Sequence, residues 1–581
     1  MPISRRELPS TLPNLPGIPP LLQRIYAARG IQDACELDTS LQRLLPFSSL
    51  TDIDLATQRL ADALLQQQRI LIIGDFDADG ATSSALMVSA LRAMGALHVE
   101  FLVPNRFEFG YGLTPGIVNM ARSWHPHLII TVDNGIASFD GVNQAVEAGI
   151  DVVITDHHLP GDTLPNACAI VNPNRVGDGF PSKCIAGVGV SFYVMMALRR
   201  HLVDTQWFES QNIPIPNMAH YLDLVALGTV ADVVPLDQNN RILVQQGLMR
   251  IQQGLARPGI TALLNVAGRQ KEQLRAIDLG FAIAPRLNAA GRLDDMALGI
   301  ECLLCDQDDK AMQLAQQLNE LNLERRQIEA DMNEQATAIV QKLIKNVGQE
   351  TQHIPSALCL TDPTWHQGVI GILAGRLKER YHRPVIAFAQ VTPEEWKGSA
   401  RSIAQLNIRD VLAAIDRTHP GLMIKFGGHA MAAGLSLKPA SFPAFQSAFL
   451  HEVDQQLDVS LLKATIYTDG ELDASSITLD MATLLQKSGP WGQQFPEPLF
   501  DNVFEILAQR TVGQHHLKLT LSLPGGSEPI DAIAFQVDPK AWPNHRARYV
   551  HAAYALDRNI YQGRTRLQLI ISSLRSVENV L

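Results

Sequence analysis

Three aspartates on alternate positions close an apolar run in residues 71–80, L-I-I-G-D-F-D-A-D-G. The run predicts a strand that empties into an acidic loop, and Gly80 then opens a small-residue helical stretch. Ionised carboxylates this close repel one another, and the common remedy is a divalent cation held by oxygen ligands. An isolated D-x-D also occurs as a plain acidic surface turn, so the rest of the chain has to decide.

Two further apolar runs end the same way. Residues 127–132 deliver Asp133 and the turn Asn134-Gly135, and residues 151–155 deliver Asp156-His157-His158. Helical patterns at 53–67 and 82–94 separate the strands at 70–73 and 98–103, which is the βαβ rhythm of a parallel α/β sheet covered on both faces. In such a sheet ligands collect beyond the carboxyl ends of the strands, where strand order reverses. Three strands therefore bring Asp75, Asp77, Asp79, Asp133, Asp156 and the two histidines to one edge. A fourth contribution is Asp232, set between Ala231 and Val233 in an apolar run over 223–234. A buried carboxylate needs a partner, and metal coordination supplies one.

At 581 residues the chain exceeds what one hydrophobic core holds, so three or four domains are expected. With 46% hydrophobic and 18% charged residues, no bilayer-length apolar run and no secretory leader in M-P-I-S-R-R, it reads as a cytoplasmic globular protein without membrane contact. Six cysteines are too sparse for a disulfide framework, and Cys302-x-x-Cys305, lacking a second pair, reads as buried helix thiols. A net charge of -11 argues against a diffuse basic coat for duplex DNA while leaving room for a local basic channel. No phosphate-binding G-x-x-x-x-G-K-[ST] loop occurs, so nucleotide cofactors are not indicated.

Residues 1–50 read as an extension packed on the first domain, and 51–305 as that domain. Within it, residues 280–292, G-F-A-I-A-P-R-L-N-A-A-G-R, read as a loop whose Arg286 and Arg292 suit phosphate. Residues 306–346, almost free of helix breakers, predict one helix of about 40 residues and about 60 Å, a connecting strut. Residues 347–458 return to α/β, with glycine beside Arg, Ser and His at 398–402 and 425–434. Residues 459–581 are strand-rich, with G-P-W-G-Q-Q-F-P-E-P at 489–498 as a rigid lead-in. There a small barrel carrying Lys518, Arg564 and Arg566 suits single-stranded nucleic acid.

Taken in order, D-F-D-A-D-G, V-P-N-R-F-E at 103–108, T-V-D-N-G-I at 131–136, T-D-H-H-L-P at 155–160, G-T-V-A-D-V-V-P-L at 228–236, P-R-L-N-A-A-G-R at 285–292 and K-F-G-G-H-A at 425–430 resemble the DHH phosphoesterase superfamily. Within it the chain is similar, from about residue 20 onward, to the RecJ family of bacterial single-strand-specific 5′ to 3′ DNA exonucleases. The resemblance implies a DHH catalytic domain, a DHH-associated α/β domain and an OB-like barrel. It implies two Mn²⁺ or Mg²⁺ ions on Asp77, Asp79, Asp133, His157 and Asp232, with Asp133 as the bridge. Where many members carry a histidine, this chain has Ile73, and Asp75 is assigned that ligand position. Phe109 stands where related chains often have an acid. His158 would face the phosphate with Asp156 orienting it.

The resemblance also implies a 5′-phosphate pocket from Arg106, Arg286, Asn288, Arg292, Ser399 and Arg401, with Gly427, Gly428 and His429 holding the strand. Release of 5′-mononucleotides in DNA recombination and repair follows, by a monomer whose functional partners are a RecQ-type helicase and a single-strand-binding protein. Two other readings stay open on sequence: a phosphoesterase of short oligonucleotides or cyclic dinucleotides, and a non-catalytic single-strand-DNA-binding scaffold.

Overall fold

The structure, a computed structural model, describes residues 2–578 except 106, 347–353, 514, 527 and 539; at 345, 346, 459, 460 and 561 it describes the backbone alone. The chain divides into two compact units, one made of residues 3–319 with 466–581, the other of 320–465 with the first two residues.

The first unit is built on five parallel strands, β1 (Ile70–Ile73), β2 (Val99–Leu102), β3 (Leu128–Val132), β4 (Asp151–Thr155) and β5 (Ala169–Val171). Their order is β2-β1-β3-β4-β5, so it reverses between β1 and β3. Strands β1 and β3 are buried along their whole length, which is why they read as unbroken apolar runs rather than alternating ones. One face packs Ile117, Val118 and Val142 against Ile73, Ile129 and Ile154. Helices α1 (Ala78–Ala93), α2 (Gly187–Asp204) and α3 (Leu222–Ala231) pack against one another, and their central residues are buried.

Two sequence expectations are corrected here. Helix α1 begins at Ala78 rather than near residue 82, with Asp77 as its N-cap, so Asp79 stands on its first turn. Residues 280–292 are helical rather than a loop: a π-helical turn at Leu279–Ile283 runs into α4 (Ala284–Leu293). Pro285 falls in the first turn, where its missing N–H breaks no bond. Gly291 is small because a Cβ there would lie 1.9 Å from the Phe76 carbonyl oxygen.

The long helix, α5 (Asp308–Asn346), has 39 residues, close to the predicted length, and contributes to both units. Beyond it, the second unit holds a mixed sheet of β6 (Leu358–Thr361), β7 (Val385–Gln390), β8 (Trp396–Arg401), β9 (Lys425–Gly428) and β10 (Ala432–Leu437), in the order β9-β10-β8-β7-β6. Phe388, Phe445, Phe449, Ile408 and Leu412 fill its core. The glycines at 427 and 428 end one arm of the β9–β10 hairpin.

In the first unit, β11 (Phe500–Val512), β12 (His516–Ser522), β13 (Ile530–Ala534), β14 (Tyr549–Tyr561) and β15 (Arg564–Val577) close a barrel in the order β11-β12-β13-β15-β14. Leu517, Leu519 and Leu521 point inward, the alternation the sequence displays. The N-terminal residues reach the foot of this barrel as well as the first sheet. Ile3–Arg5 pairs in parallel with Ile466–Thr468, and the Arg29 guanidinium meets both oxygens of Asp469 at 2.7 and 3.0 Å. The same guanidinium lies over the Trp491 ring at 5.3 Å, and Trp491 stacks on Phe495 at 5.1 Å.

Candidate metal centre

The carboxyl ends of β1, β3 and β4 and the end of α3 meet at the point where strand order reverses. Asp75 follows β1 and accepts the Phe76 N–H at 2.7 Å. Asp77 caps α1, its Oδ1 accepting from the backbone of Asp79 and Gly80 at 2.9 and 3.1 Å. Asp79 turns inward to the start of α2, where the N–H groups of Gly187 and Val188 reach its two oxygens at 2.7 and 2.9 Å. A carboxylate at a helix N-terminus is favoured by the dipole and the free N–H groups.

Asp133 leaves β3 in the left-handed region, at φ 61, which short polar residues tolerate. Asn134 ties the switch point together, donating to the carbonyls of Ile73 at 3.1 Å and Val132 at 2.9 Å. Asp156 is fully buried; its Oδ1 accepts from the N–H groups of His157 and His158 and from His158 Nδ1 at 2.7 Å, while Oδ2 accepts from Ile136. Burial pulls the His158 pKa down, but the Asp156 hydrogen bond and charge outweigh it, pushing His158 up to about 9. His157 is lowered by burial and by the neighbouring His158, so it faces the site as a neutral imidazole, the form that binds metals.

Among the described residues three overlapping groups place their ligand atoms within 4.8 Å: Asp133, His157 and His158; Asp79, His157 and Asp232; and Asp75, Asp77 and Asp133. His157 Nε2 lies 3.1 Å from Asp133 Oδ1 and 3.5 Å from Asp232 Oδ2, yet neither Nε2 nor Oδ1 makes a hydrogen bond among the described residues. Buried acceptors converging without donors between them fit cations held by oxygen and one imidazole, the preference of Mn²⁺ and Mg²⁺ rather than of thiolate metals.

Without a cation the crowding is unfavourable. Burial and the charge of Asp232 push Asp79 up to about 7; burial and Asp77 push Asp232 up to about 8; burial, then Asp79 and Asp77, raise Asp133 well above the carboxylate range. Raised folded pKa values mean that the metal-free fold binds more protons than the unfolded chain, so its stability falls as pH rises. The fall starts above the unfolded carboxylate value of about 4 and runs through about 7 and about 8 for Asp79 and Asp232, and His158 adds to it with the same sign up to about 9. Denaturant melts in EDTA across this range are expected to show that slope, and saturating Mn²⁺ to shrink it; a flat profile in EDTA would contradict the crowding.

The remaining candidates are not members of these three groups. Asn288 Oδ1 accepts the Ala78 N–H at 2.8 Å, so it clamps the start of α1. Arg286 donates to the Ala282 carbonyl and to Asn319 Oδ1, and Arg292 stands half-buried on the same helix. Arg106 lies outside the described residues. In the second unit Arg401 donates to Ser399 Oγ at 3.2 Å and to the Ala400 carbonyl, and Gly427, Gly428 and His429 are exposed on their hairpin. On the barrel Arg564 and Arg566 are exposed, whereas Lys518 lies 3.6 Å from Asp531.

Sequence reasoning missed Tyr111. Its hydroxyl donates to the Asp133 carbonyl at 3.0 Å and stands 3.2 Å from His158 Nδ1. The available signal was its place between Gly110 and Gly112, both at positive φ.

Three stretches of the chain match known families. Residues 69–229 match the DHH family N-terminal domain, 353–455 the DHHA1 domain and 468–573 the RecJ OB domain. The single-stranded-DNA-specific exonuclease RecJ of Escherichia coli is 52% identical over 572 residues, 98% of each chain. The chain belongs to the RecJ family. A crystal structure of RecJ from Thermus thermophilus in complex with Mn²⁺ superposes with a TM-score of 0.77 at 30% identity, covering 97% of this chain and 77% of that one. Another RecJ structure from that organism, in complex with Mg²⁺, gives 0.72 at 29% identity over 97% and 75%. The RecJ fold, a parallel-sheet DHH domain with a DHHA1 domain and an OB barrel, is the one expected from the sequence, and the acidic edge is a place where the same ions fit.

Proposed function

We propose that this RecJ-family chain is a hydrolase that degrades single-stranded DNA from the 5′ end, releasing 5′-mononucleotides in recombination and repair. The observation that carries the reading is the convergence of Asp133 Oδ1 and His157 Nε2, both without hydrogen bonds among the described residues, with the carboxylates at the switch point. Asp75, Asp77, Asp79, Asp133, His157 and Asp232 would hold two Mn²⁺ or Mg²⁺ ions, with Asp133 between them. Such ions supply Lewis-acid stabilisation and a water of lowered pKa for in-line displacement at phosphorus.

The chain's own residues do the rest. His158, kept protonated by Asp156, offers a positive N–H to the scissile phosphate or the leaving oxygen. Asp156 fixes that ring, and the Tyr111 hydroxyl lies beside it. Asn288 holds the Ala78 N–H and with it the cap from which Asp77 and Asp79 project.

For polarity, Arg401 with Ser399 would grip the terminal phosphate, an arginine fork matching its oxygens. A long single strand labelled at the 5′ end should release labelled mononucleotide before any 3′ label appears, and only with Mn²⁺ or Mg²⁺; 3′ label first would overturn the polarity. In Arg401→Ala the preference for a 5′-phosphate over a 5′-hydroxyl end is expected to fall about tenfold or more, since a hydrogen bond to a charged group contributes about 1.5–3 kcal/mol. An unchanged rate ratio would remove Arg401 from the pocket.

Lys518, Arg564 and Arg566 would track the strand over the barrel. Replacing Arg564 and Arg566 with alanine is then expected to shallow the slope of log affinity against log salt by about 0.7 for each phosphate that the barrel no longer neutralises, measured by anisotropy on a long oligonucleotide. A RecQ-type helicase and a single-strand-binding protein are the partners this reading expects, a helicase because it would expose strand from duplex. Among the described residues no helix is long and apolar enough to cross a membrane.

A further inference from the structure

The Asp232 carboxylate receives no hydrogen bond among the described residues, so its direction is set by the backbone that carries it. That backbone is strained: Val233, a β-branched residue, sits at φ 59 and is 64% exposed. Such a conformation persists only where the surroundings over-determine it. On the upstream side the Asp232 N–H bonds the Gly228 carbonyl at 2.9 Å, the last turn of α3. On the downstream side Pro235 O accepts from Asn240 Nδ2 at 2.9 Å, and Leu236 is buried.

Leu236 is pinned by a segment from the far end of the chain. Its N–H donates to the Gln493 carbonyl at 2.9 Å, and its side chain packs so close to Gly492 that a Cβ there would lie 2.7 Å from Leu236 Cδ1. Gly492 and Phe495 exchange two backbone hydrogen bonds at 2.9 and 3.1 Å, which fold 492–495 into a tight turn. Arg241 closes the arrangement: it donates to the Leu236 carbonyl at 2.9 Å while its guanidinium lies 4.4 Å from the centre of the Phe495 ring. Trp491 and Tyr26 extend the ring stack behind it.

We infer that the Trp491–Phe495 turn is a positioning element of the metal centre, holding the loop from Val233 to Leu236 so that Asp232 keeps its ligand direction. Its residues belong to none of the candidate ligand groups; they act through Leu236. The inference rests on Asp232 being a metal ligand, as in the proposed function.

The test is Mn²⁺ binding by the full chain, followed by electron paramagnetic resonance of free Mn²⁺, in Asp232→Asn, Trp491→Ala, Trp491→Phe and Arg275→Ala. Arg275 joins the same two parts of the unit through Glu497 and Asp557, at 3.5 and 3.8 Å, and is a control for general loosening. Removing an outer support typically weakens metal affinity on the order of 10- to 100-fold. Trp491→Ala is expected to weaken the Asp232-dependent site by about tenfold or more, Trp491→Phe to retain affinity because the ring stack survives, and Arg275→Ala to leave it unchanged. If Trp491→Ala gives no cooperative melt, Gly492→Ala, which pushes Leu236 directly, carries the same expectation. Wild-type affinity in folded Trp491→Ala or Gly492→Ala, or an equal loss in Arg275→Ala, overturns the inference. Wild-type affinity in Asp232→Asn instead overturns the ligand assignment beneath it.

Discussion

Asp133→Asn is expected to melt at a higher temperature than the wild-type chain in EDTA, to gain no stability from Mn²⁺, and to hydrolyse single-stranded DNA at least about a thousand-fold more slowly. The first effect comes from the fold. Asp133 is 2% exposed, and burial followed by the charges of Asp79, Asp77, Asp232 and Asp75 raises its pKa well above the ordinary range. An amide of the same shape removes that charge and offers an N–H₂ donor among acceptors. The second and third effects come from the chemistry. Asp133 belongs to two of the three overlapping ligand groups, so exchanging it for a neutral amide takes a charged oxygen ligand from both. Several kcal/mol of transition-state stabilisation come from such ions, and each 1.36 kcal/mol is about tenfold in rate. Thermal melts with EDTA or Mn²⁺ and mononucleotide release on one preparation check all three. Wild-type turnover, or an undiminished Mn²⁺ shift, would take Asp133 out of the centre.

Arg29→Ala is expected to destabilise the first unit by about 3–5 kcal/mol, the usual result of removing one partner of a buried ion pair. The Arg29 and Asp469 side chains are 1% and 2% exposed, and Arg29 also donates to the carbonyls of Ile25 and Pro496. With Arg29 gone, Asp469 keeps the Leu499 N–H and a distant Arg6, too little for a buried charge. Arg29→Lys should recover only part of the loss, because an ammonium cannot reproduce the two-pronged contact. Denaturant unfolding measures both, and a wild-type midpoint for the alanine variant would show that the clasp contributes nothing. Deleting the chain after 465 would strand Arg29 in the same way, so charge replacements at Arg564 and Arg566 test the barrel more cleanly than truncation.

What was legible in the sequence was what local pattern determines. Ile70–Ile73 and Leu128–Val132 are buried on both faces, so their letters are uniformly apolar and their ends stand out as abrupt changes to Asp75 and Asp133. Three such ends on a parallel sheet can only share an edge, which is why the acidic set could be assembled before any coordinates. Residues 280–292 were misread because Gly280, Pro285 and Gly291 are turn letters in isolation; their reason for being small or cyclic lies in Val230, the first helical turn and Phe76. That Asn288 holds the Ala78 N–H could not be read, because nothing near it in sequence hints at Ala78; its place in a phosphate pocket came from the resemblance alone. The Ile3–Arg5 strand was invisible for the same reason, since the strand it meets lies far along the chain, whereas Tyr111 was marked only by its flanking glycines.

The pairing of Ile3–Arg5 with Ile466–Thr468 also sets a timetable. Arg5 and Asp501, 496 residues apart, bond to each other, and residues 320–465 form a separate unit between the two stretches that must meet. On the ribosome the parallel sheet can assemble as soon as β5 emerges, because its strands are neighbours in sequence. The Arg29 guanidinium then waits for Asp469 and the Leu236 N–H for the Gln493 carbonyl, until the whole intervening unit and roughly the next 30 residues have been translated. A chain stalled before that point carries the acidic edge but lacks the turn that pins the Asp232 loop. If the Asp232 loop depends on that turn as inferred, full Mn²⁺ affinity arrives late in synthesis, after most of the polypeptide has cleared the exit tunnel.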